Sequence, residues 1–385
     1  MVNRILVLIV LLLFPVLGNA TTAKHFSSGI SPQIEDLYYR IKSKGSAHKL
    51  EGIFQKLRST YGFNGVVLIT EHNHVIYKKA FGYADLASRD SLKVTSQFQL
   101  ASVSKQFTSM AIMMLKERGF LSYDDKVTRF YPHFPYPEIT IRQLLTHRAG
   151  LADYRWFIDP YWLDKEKPIS NQEMMRMFSQ YKPDPYFSAN SHHSYSNTGY
   201  AILAAIVEKI SGVTFSTFMK KAVFEPLGMK HSQIYSKCEH ANLPGNVCGY
   251  ERNGSWKAPN DCFNGITGDK NVFSTVEDLF IWDQALYSNK LVNQETLAEA
   301  FKEGSPELRG LRNYGFGWRI NKQNPEKQVV YHSGWWRGFR TFFLRNLTDH
   351  NAIIVLTNTV NYSINSLGEV NQLVMNSEID SLEVD

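Results

Sequence analysis

Three short runs in this chain carry residue types at spacings suited to acyl transfer. A hydrolytic serine needs a base within hydrogen-bond reach and two donors where the oxyanion forms. Ser102-Val103-Ser104-Lys105 offers the first requirement, because residues three apart share one helix face. Ser46 with Lys49 and Ser179 with Lys182 share the spacing. Ser46 lies in a polar stretch and Ser179 precedes a Pro-rich one; only Ser102 opens an apolar helix, where free amides and the helix dipole favour negative charge. The second run is Tyr195-Ser196-Asn197, read as a loop before a helix starting near Gly199. Tyr287-Ser288-Asn289 repeats that pattern but reads as a frayed helix end. The third run, His332-Ser333-Gly334, closes a strand. Glycine at a strand edge lets a substrate carbonyl come close to the backbone.

These runs need elements to hold them. Ser102 to Arg118 is apolar on most faces (Val103, Phe107, Met110, Ile112, Met113, Leu115), which predicts a buried helix stopping at Gly119. Val66-Val67-Leu68-Ile69 and Val75-Ile76-Tyr77 read as strands around a turn at His72-Asn73-His74. Residues 120–305 read as helices and loops, including Ile139–Leu145, Gly199–Ile210 and a helix opening at the capping-box pattern Ser274-x-x-Glu277. Strands return at Tyr314–Ile320, Val329–His332, Thr341–Arg345 and Ala352–Leu356, followed by a helix over Ser366–Met375. Strands near both ends with helices between them predict an α+β fold: one antiparallel sheet flanked by helices, with a mostly helical insertion region. The sheet is expected from about 62–100 and 310–360, within one domain over 48–375. Residues 21–47 read as a flexible lead-in and 376–385 as a tail.

Composition narrows the function classes. With 43% hydrophobic and 20% charged residues over 385 positions, the chain is neither disordered nor a disulfide scaffold. Its net charge of +6 is mild and no basic run stands out, which argues against a nucleic-acid partner. Arg4, the apolar Ile5 to Leu17 and the small residues Gly18-Asn19-Ala20 read as a secretory signal peptide over 1–20. Its 13 apolar residues fall short of the ~20 needed to span a bilayer. The expected protein is therefore exported, periplasmic or secreted, with no stable membrane span in its mature form. Cys238, Cys248 and Cys262 sit in one window; Cys238 to Cys248 is the shortest disulfide, and a zinc site with His240 is the alternative. We read no metal and no cofactor.

Taken together and in order, the three runs resemble the serine β-lactamase and penicillin-binding-protein superfamily, nearest its class C β-lactamase-related branch. The resemblance spans roughly Phe63 to Asn358 and includes Phe98-Gln99-Leu100-Ala101, Leu144-Leu145-Thr146-His147-Arg148-Ala149-Gly150-Leu151, Pro226-Leu227-Gly228-Met229 and Tyr314-Gly315-Phe316-Gly317-Trp318. It implies a β-lactamase-like fold and a serine hydrolase without metal or cofactor, acting on a small-molecule or peptide ester or amide through an acyl-enzyme. β-Lactams and D-amino-acid peptides fall within that class. Ser102 is then the acylated nucleophile, Lys105 its deprotonating partner and Tyr195 the phenol sharing the proton. Asn197 orients the substrate amide. His332, Ser333, Gly334 and Trp335 form the substrate-binding strand, with the amides of Ser102 and Trp335 as oxyanion hole. His332 replaces the lysine usual in lactam-hydrolysing members. Neutral near pH 7, it would recognise a carboxylate weakly, and neutral esters or amides would be preferred over penicillins. Arg337 or Arg340 would compensate. A penicillin-binding sensor or pseudoenzyme that acylates without turnover is the alternative. His147 is read as structural, Tyr154 and Trp156 as a cleft wall or packing, His192 and His193 as a solvated loop, and Gly268-Asp269-Lys270 as a surface turn.

Overall fold

The branched apolar run Val66-Val67-Leu68-Ile69 is the centre of strand β1 (Gly65–Glu71), buried along its whole length. It turns through His72 and Asn73 into β2 (His74–Phe81). Both turn residues have positive φ, 48° and 65°, the backbone that matches the twist of a two-residue hairpin. The computed structural model describes residues 32–237, 247–259, 261–308, 312–324 and 326–375, with Gly245 and Gly310. Residues 1–31, including the expected signal segment, and the 376–385 tail lie outside the described residues.

The chain divides into two units, Met1–Lys49 and Leu50–Asp385. Helix α1 (Pro32–Tyr61) opens sixteen residues before the expected His48. Its first half carries Ile34, Leu37, Tyr38 and Ile41 at the i, i+3, i+4, i+7 spacing of a helix, a period at odds with the expected flexible lead-in over 21–47, and Pro32 is tolerated at a first helical position. From Leu50 onward it buries Leu50, Phe54 and Leu57 in the larger unit.

The later strands are β3 (Arg312–Tyr314), β4 (Arg319–Asn321), β5 (Val329–Trp336), β6 (Phe339–Asn346) and β7 (Asn351–Thr357). They form one antiparallel seven-stranded sheet with β1 and β2 in the order β3-β4-β5-β6-β7-β1-β2. The first strand thus pairs with the last, Gly65 opposite Thr357 and Thr70 opposite Ala352. The single strand expected over Tyr314–Ile320 is instead a hairpin broken at Gly315-Phe316-Gly317. Gly317 has φ 76°, and a Cβ there would stand 2.8 Å from the Lys105 carbonyl, so this turn lies against the start of the helix bearing Lys105.

Helix α2 (Lys105–Glu117) has every residue from Lys105 to Leu115 buried and is preceded by a 3₁₀ turn, Ala101–Ser104. Short helices α3 (Ile141–Leu145) and α4 (Tyr154–Ile158) and helix α5 (Asn171–Tyr181) follow. Helix α6 (Asn197–Ser211) packs against α2, α3 and α5. Helix α7 (Val276–Ala285) is capped by Thr275, which accepts from the Asp278 amide at 3.1 Å. The capping pattern at Ser274 is displaced by one residue because Ser274 ends a strand, Val272–Ser274. That strand pairs with Phe98–Gln99 and Gln233–Ile234 in a small sheet that delivers the chain to Ser102. Helix α8 (Gly368–Met375) ends the described chain.

Cys248 is a free thiol donating to Asp85 Oδ2 at 3.2 Å, and Cys262 is free and buried, so Cys248 forms no bridge. Cys238 and His240 lie outside the described residues. Among the described residues no group of three or more His, Cys, Asp or Glu could hold a metal, and no single helix is long and apolar enough to cross a membrane.

Candidate active site

Ala101, immediately before Ser102, has φ 48°. A non-glycine residue in this region costs roughly 1–2 kcal/mol and must be held by its surroundings. Here the holding bonds fall on Leu100: its amide donates to the Val272 carbonyl at 2.8 Å and its carbonyl accepts from Thr341 Oγ1 at 2.7 Å. Ser104 Oγ accepts from the Val272 amide at 3.1 Å. The kinked turn presents Ser102 to a cleft of about 280 Å³.

Lys105 is fully buried, its Nζ 3.1 Å from Ser102 Oγ, 2.8 Å from Asn197 Oδ1 and 2.9 Å from the Asp269 carbonyl. Burial brings its pKa down to about 7; Lys270, Arg319 and Arg155 push the same way and Asp269 opposes them. A neutral amine has two hydrogens and one lone pair. Asn197 and Asp269 offer acceptors only, so they take both hydrogens and turn the lone pair toward the Ser102 hydroxyl.

Tyr195 Oη is buried without a hydrogen bond among the described residues. Burial raises its pKa, with Ser102 opposing. Lys105 Nζ stands 4.8 Å from the Tyr195 ring centroid. The loop holding Tyr195 is fixed from behind by His147, whose Nδ1 accepts from the Ser196 amide at 3.1 Å. The His147 ring lies 4.3 Å from Tyr195 and 4.4 Å from Tyr314. Burial, then the neighbouring His193, holds His147 neutral. Asn197 is the first residue of α6 rather than part of a loop. Its Oδ1 is committed to Lys105, and its Nδ2 has no protein acceptor among the described residues.

Ser333, Gly334 and Trp335 line the same cleft as Ser102, Tyr195 and Asn197. Gly334 is obligatory there: a Cβ would meet the Leu100 carbonyl at 2.4 Å and Thr341 Oγ1 at 2.5 Å. Trp335 is half-exposed and reaches Glu251 through Nε1 at 3.3 Å.

His332 departs from expectation. It is fully buried and absent from the cleft wall. Its Nδ1–H donates to the Ser333 carbonyl at 2.6 Å, and its Nε2 accepts from the Tyr314 hydroxyl at 2.9 Å. Burial, Arg319 and Lys105 all hold its pKa well below the usual histidine range. Its ring centroid lies 6.1 Å from that of Tyr195 and 5.7 Å from that of Tyr314. His332 is thus a prop under the strand, and substrate preference cannot be read from its charge. Arg337 pairs with Asp261, and Arg340 donates to the Asn361 carbonyl at 3.0 Å; neither lines the cleft.

Gly268-Asp269-Lys270 is not a surface turn but the floor beneath Lys105. Asp269 and Lys270 are buried and paired at 3.3 Å. Lys270 Nζ also donates to Tyr154 Oη at 2.7 Å, and the Tyr154 hydroxyl donates to Asp269 Oδ2 at 2.9 Å. Tyr154 is therefore core, and Trp156 is three-quarters exposed. His192 and His193 line neither this cleft nor its neighbour. Two residues the sequence reading missed, Asp153 and Arg155, complete the cleft. Nothing in their spacing marks them; only the burial of Tyr154 between them turns both outward.

A family profile described as Beta-lactamase matches residues 50–366. Penicillin-binding protein 4* of Bacillus subtilis (strain 168) is 36% identical over 322 residues, covering 80% of this chain and 71% of that protein. A D-aminopeptidase of Cereibacter sphaeroides is 25% identical over 306 residues, covering 77% of this chain and 57% of its own length, so the chain spans under two thirds of that relative. Among solved structures, the octameric penicillin-binding protein homologue from Pyrococcus abyssi superposes with a TM-score of 0.70 at 28% identity, covering 81% of this chain and 73% of that one.

Proposed function

We propose that this chain, which belongs to the beta-lactamase family of serine hydrolases, cleaves an ester or amide through an acyl-enzyme on Ser102. The observation carrying this reading is the buried Lys105 amine, 3.1 Å from Ser102 Oγ with a pKa near 7. A substantial fraction of it is therefore neutral at pH 7, where an ordinary lysine is almost wholly protonated. Tyr195 cannot share that role as a phenolate, because its pKa lies above the ordinary ~10 and under one part in a thousand ionises at neutral pH.

Lys105 takes the Ser102 proton as Oγ bonds to the substrate carbonyl carbon, and the C=O electron pair moves onto oxygen. The amides of Ser102 and Trp335 receive that oxyanion, each such donor being worth about 2.7–4 kcal/mol. As the carbonyl re-forms, the leaving-group bond breaks and its atom takes a proton passed from Lys105 through the Tyr195 hydroxyl. Water then attacks the ester, giving its proton back along the same groups, and the acid leaves as Ser102 is reprotonated. Relatives bearing the names penicillin-binding protein and D-aminopeptidase support a D-amino-acid amide, peptide or β-lactam as the acyl donor. The export reading of residues 1–20 belongs to the same proposal; an intact mass beginning at Thr21 tests it, and a retained Met1 refutes it.

A fluorophosphonate probe followed by peptide mass spectrometry tests the centre of the reading. Label is expected on Ser102 and lost in Ser102→Ala; label on Ser46 or Ser179 overturns it. Burst kinetics with a chromogenic ester separates turnover from a sensor that acylates once.

A further inference from the structure

We propose that Arg155 is the cleft's carboxylate anchor, one guanidinium edge held by Asp153 and the other turned to substrate, so that the site selects acyl groups bearing a carboxylate. The inference deepens the hydrolase reading and rests on it.

Arg155 follows Tyr154, whose hydroxyl is tied to Asp269 and Lys270, so the backbone beneath it is anchored. Its Nε lies 3.0 and 3.2 Å from the two Asp153 oxygens, and its Nη2 lies 2.5 Å from Oδ2. That pairing uses the Nε/Nη2 edge. The Nη1/Nη2 edge stays open, and Nη1 has no protein acceptor among the described residues. Two parallel N–H groups on one edge match the two oxygens of a carboxylate. The guanidinium carbon is also 5.9 Å from the Trp336 ring, which limits its swing. About a third of the side chain is exposed, and it shares the cleft wall with Ser102, Asn197 and Trp335.

Among the described residues no other cation is placed for the task. His332 is buried and neutral. Lys105 is consumed by proton transfer, and Lys270 is committed to Tyr154, Asp269 and the Ile266 carbonyl. Arg319 stands 5.5 Å over the Tyr195 ring and does not line the cleft. Because Asp153 already balances Arg155, the selection comes from directed donors at short range rather than from long-range attraction.

The test compares p-nitrophenyl hydrogen glutarate with p-nitrophenyl pentanoate, acyl chains of equal length with and without a terminal carboxylate. The wild type should favour the glutarate, with a kcat/KM ratio flat from pH 6 to 9, since guanidinium and carboxylate both stay charged there. Arg155→Gln should lower the ratio about ten- to a hundredfold, the worth of a charge-assisted pair, and Arg155→Lys should restore part of it. An unchanged ratio, or an equal loss on both esters, overturns the proposal and leaves Arg155 a structural residue. Inhibition by 3-carboxyphenylboronic and phenylboronic acids reads the same preference without turnover. If both boronates protect Ser102 from fluorophosphonate equally, the Arg155 assignment alone falls. If neither protects it, the hydrolase reading falls as well.

Discussion

Lys105 makes the strongest demand on experiment. Its folded pKa lies below the ordinary 10.5, near 7, so the neutral, proton-accepting form gains as pH rises through that value. kcat/KM for a neutral aryl ester should climb between pH 6 and 8 and level above. A profile flat over that range would remove Lys105 as the base. Lys105→Arg, which keeps its proton at any working pH, should cost about 10²–10⁴ in kcat/KM on the same ester. His332 gives a prediction of the opposite kind. A lysine there would place an ammonium in a fully buried site facing Arg319 and Lys105, with Tyr314 deprived of its acceptor. His332→Lys should therefore lose on the order of 3 kcal/mol or more in urea unfolding, without improved use of carboxylated substrates. Residue types and order were enough to place Ser102, Lys105, Tyr195 and Asn197 in one constellation. They could not show that His332 turns inward, because strand alternation fixes a face only once the register is known.

Gly334 shows what the elements add. Strand β5 lies so close to the Leu100–Ala101 turn that one extra methyl meets the Leu100 carbonyl at 2.4 Å. Gly334→Ala should force strand and turn apart, costing about 1–3 kcal/mol of stability and roughly 10²-fold in acylation through the displaced oxyanion donors. Stopped-flow acylation beside chemical denaturation would separate the two losses; intact acylation would argue against the close approach. Strand β1 and helix α2 were legible because each is a nearly continuous apolar run, buried on both faces or all round. The small sheet of two- and three-residue strands was not, since such runs have no period to read. Nor was the burial of Asp269 and Lys270, two charges whose sequence context is that of a surface turn; their mutual pairing, Tyr154 and the Ile266 carbonyl make it tolerable.

One hydrophobic cluster joins the sheet (Val66, Leu68, Phe343, Ile354) to the helices (Phe107, Leu144, Ile202, Trp282), and polar ties cross it. Helix α7 is fastened to strand β6 through the fully buried pair of Asp283 and Arg345, 2.5 Å apart. Asp283→Ala strands a guanidinium in the core and should cost about 3–5 kcal/mol, while Asp283→Leu with Arg345→Met should recover most of it. Equal denaturation midpoints for the wild type and Asp283→Ala would contradict this. The division into sheet and helical region was readable from strands near both ends, yet the start of α1 was passed over, although Ile34, Leu37, Tyr38 and Ile41 recur there at helical spacing.

The pairing of Gly65 with Thr357 also sets a timetable for synthesis. A ribosome releases β1 early, but the strand beside it is made only after the whole helical region has emerged. Until then β1 lacks the partner on its β7 side, and such distant contacts form slowly. β5 and its oxyanion donor arrive in that same late stretch, so Ser102 and its base Lys105 exist well before the strand that receives the oxyanion. The nascent chain is therefore catalytically silent until its last strands are in place.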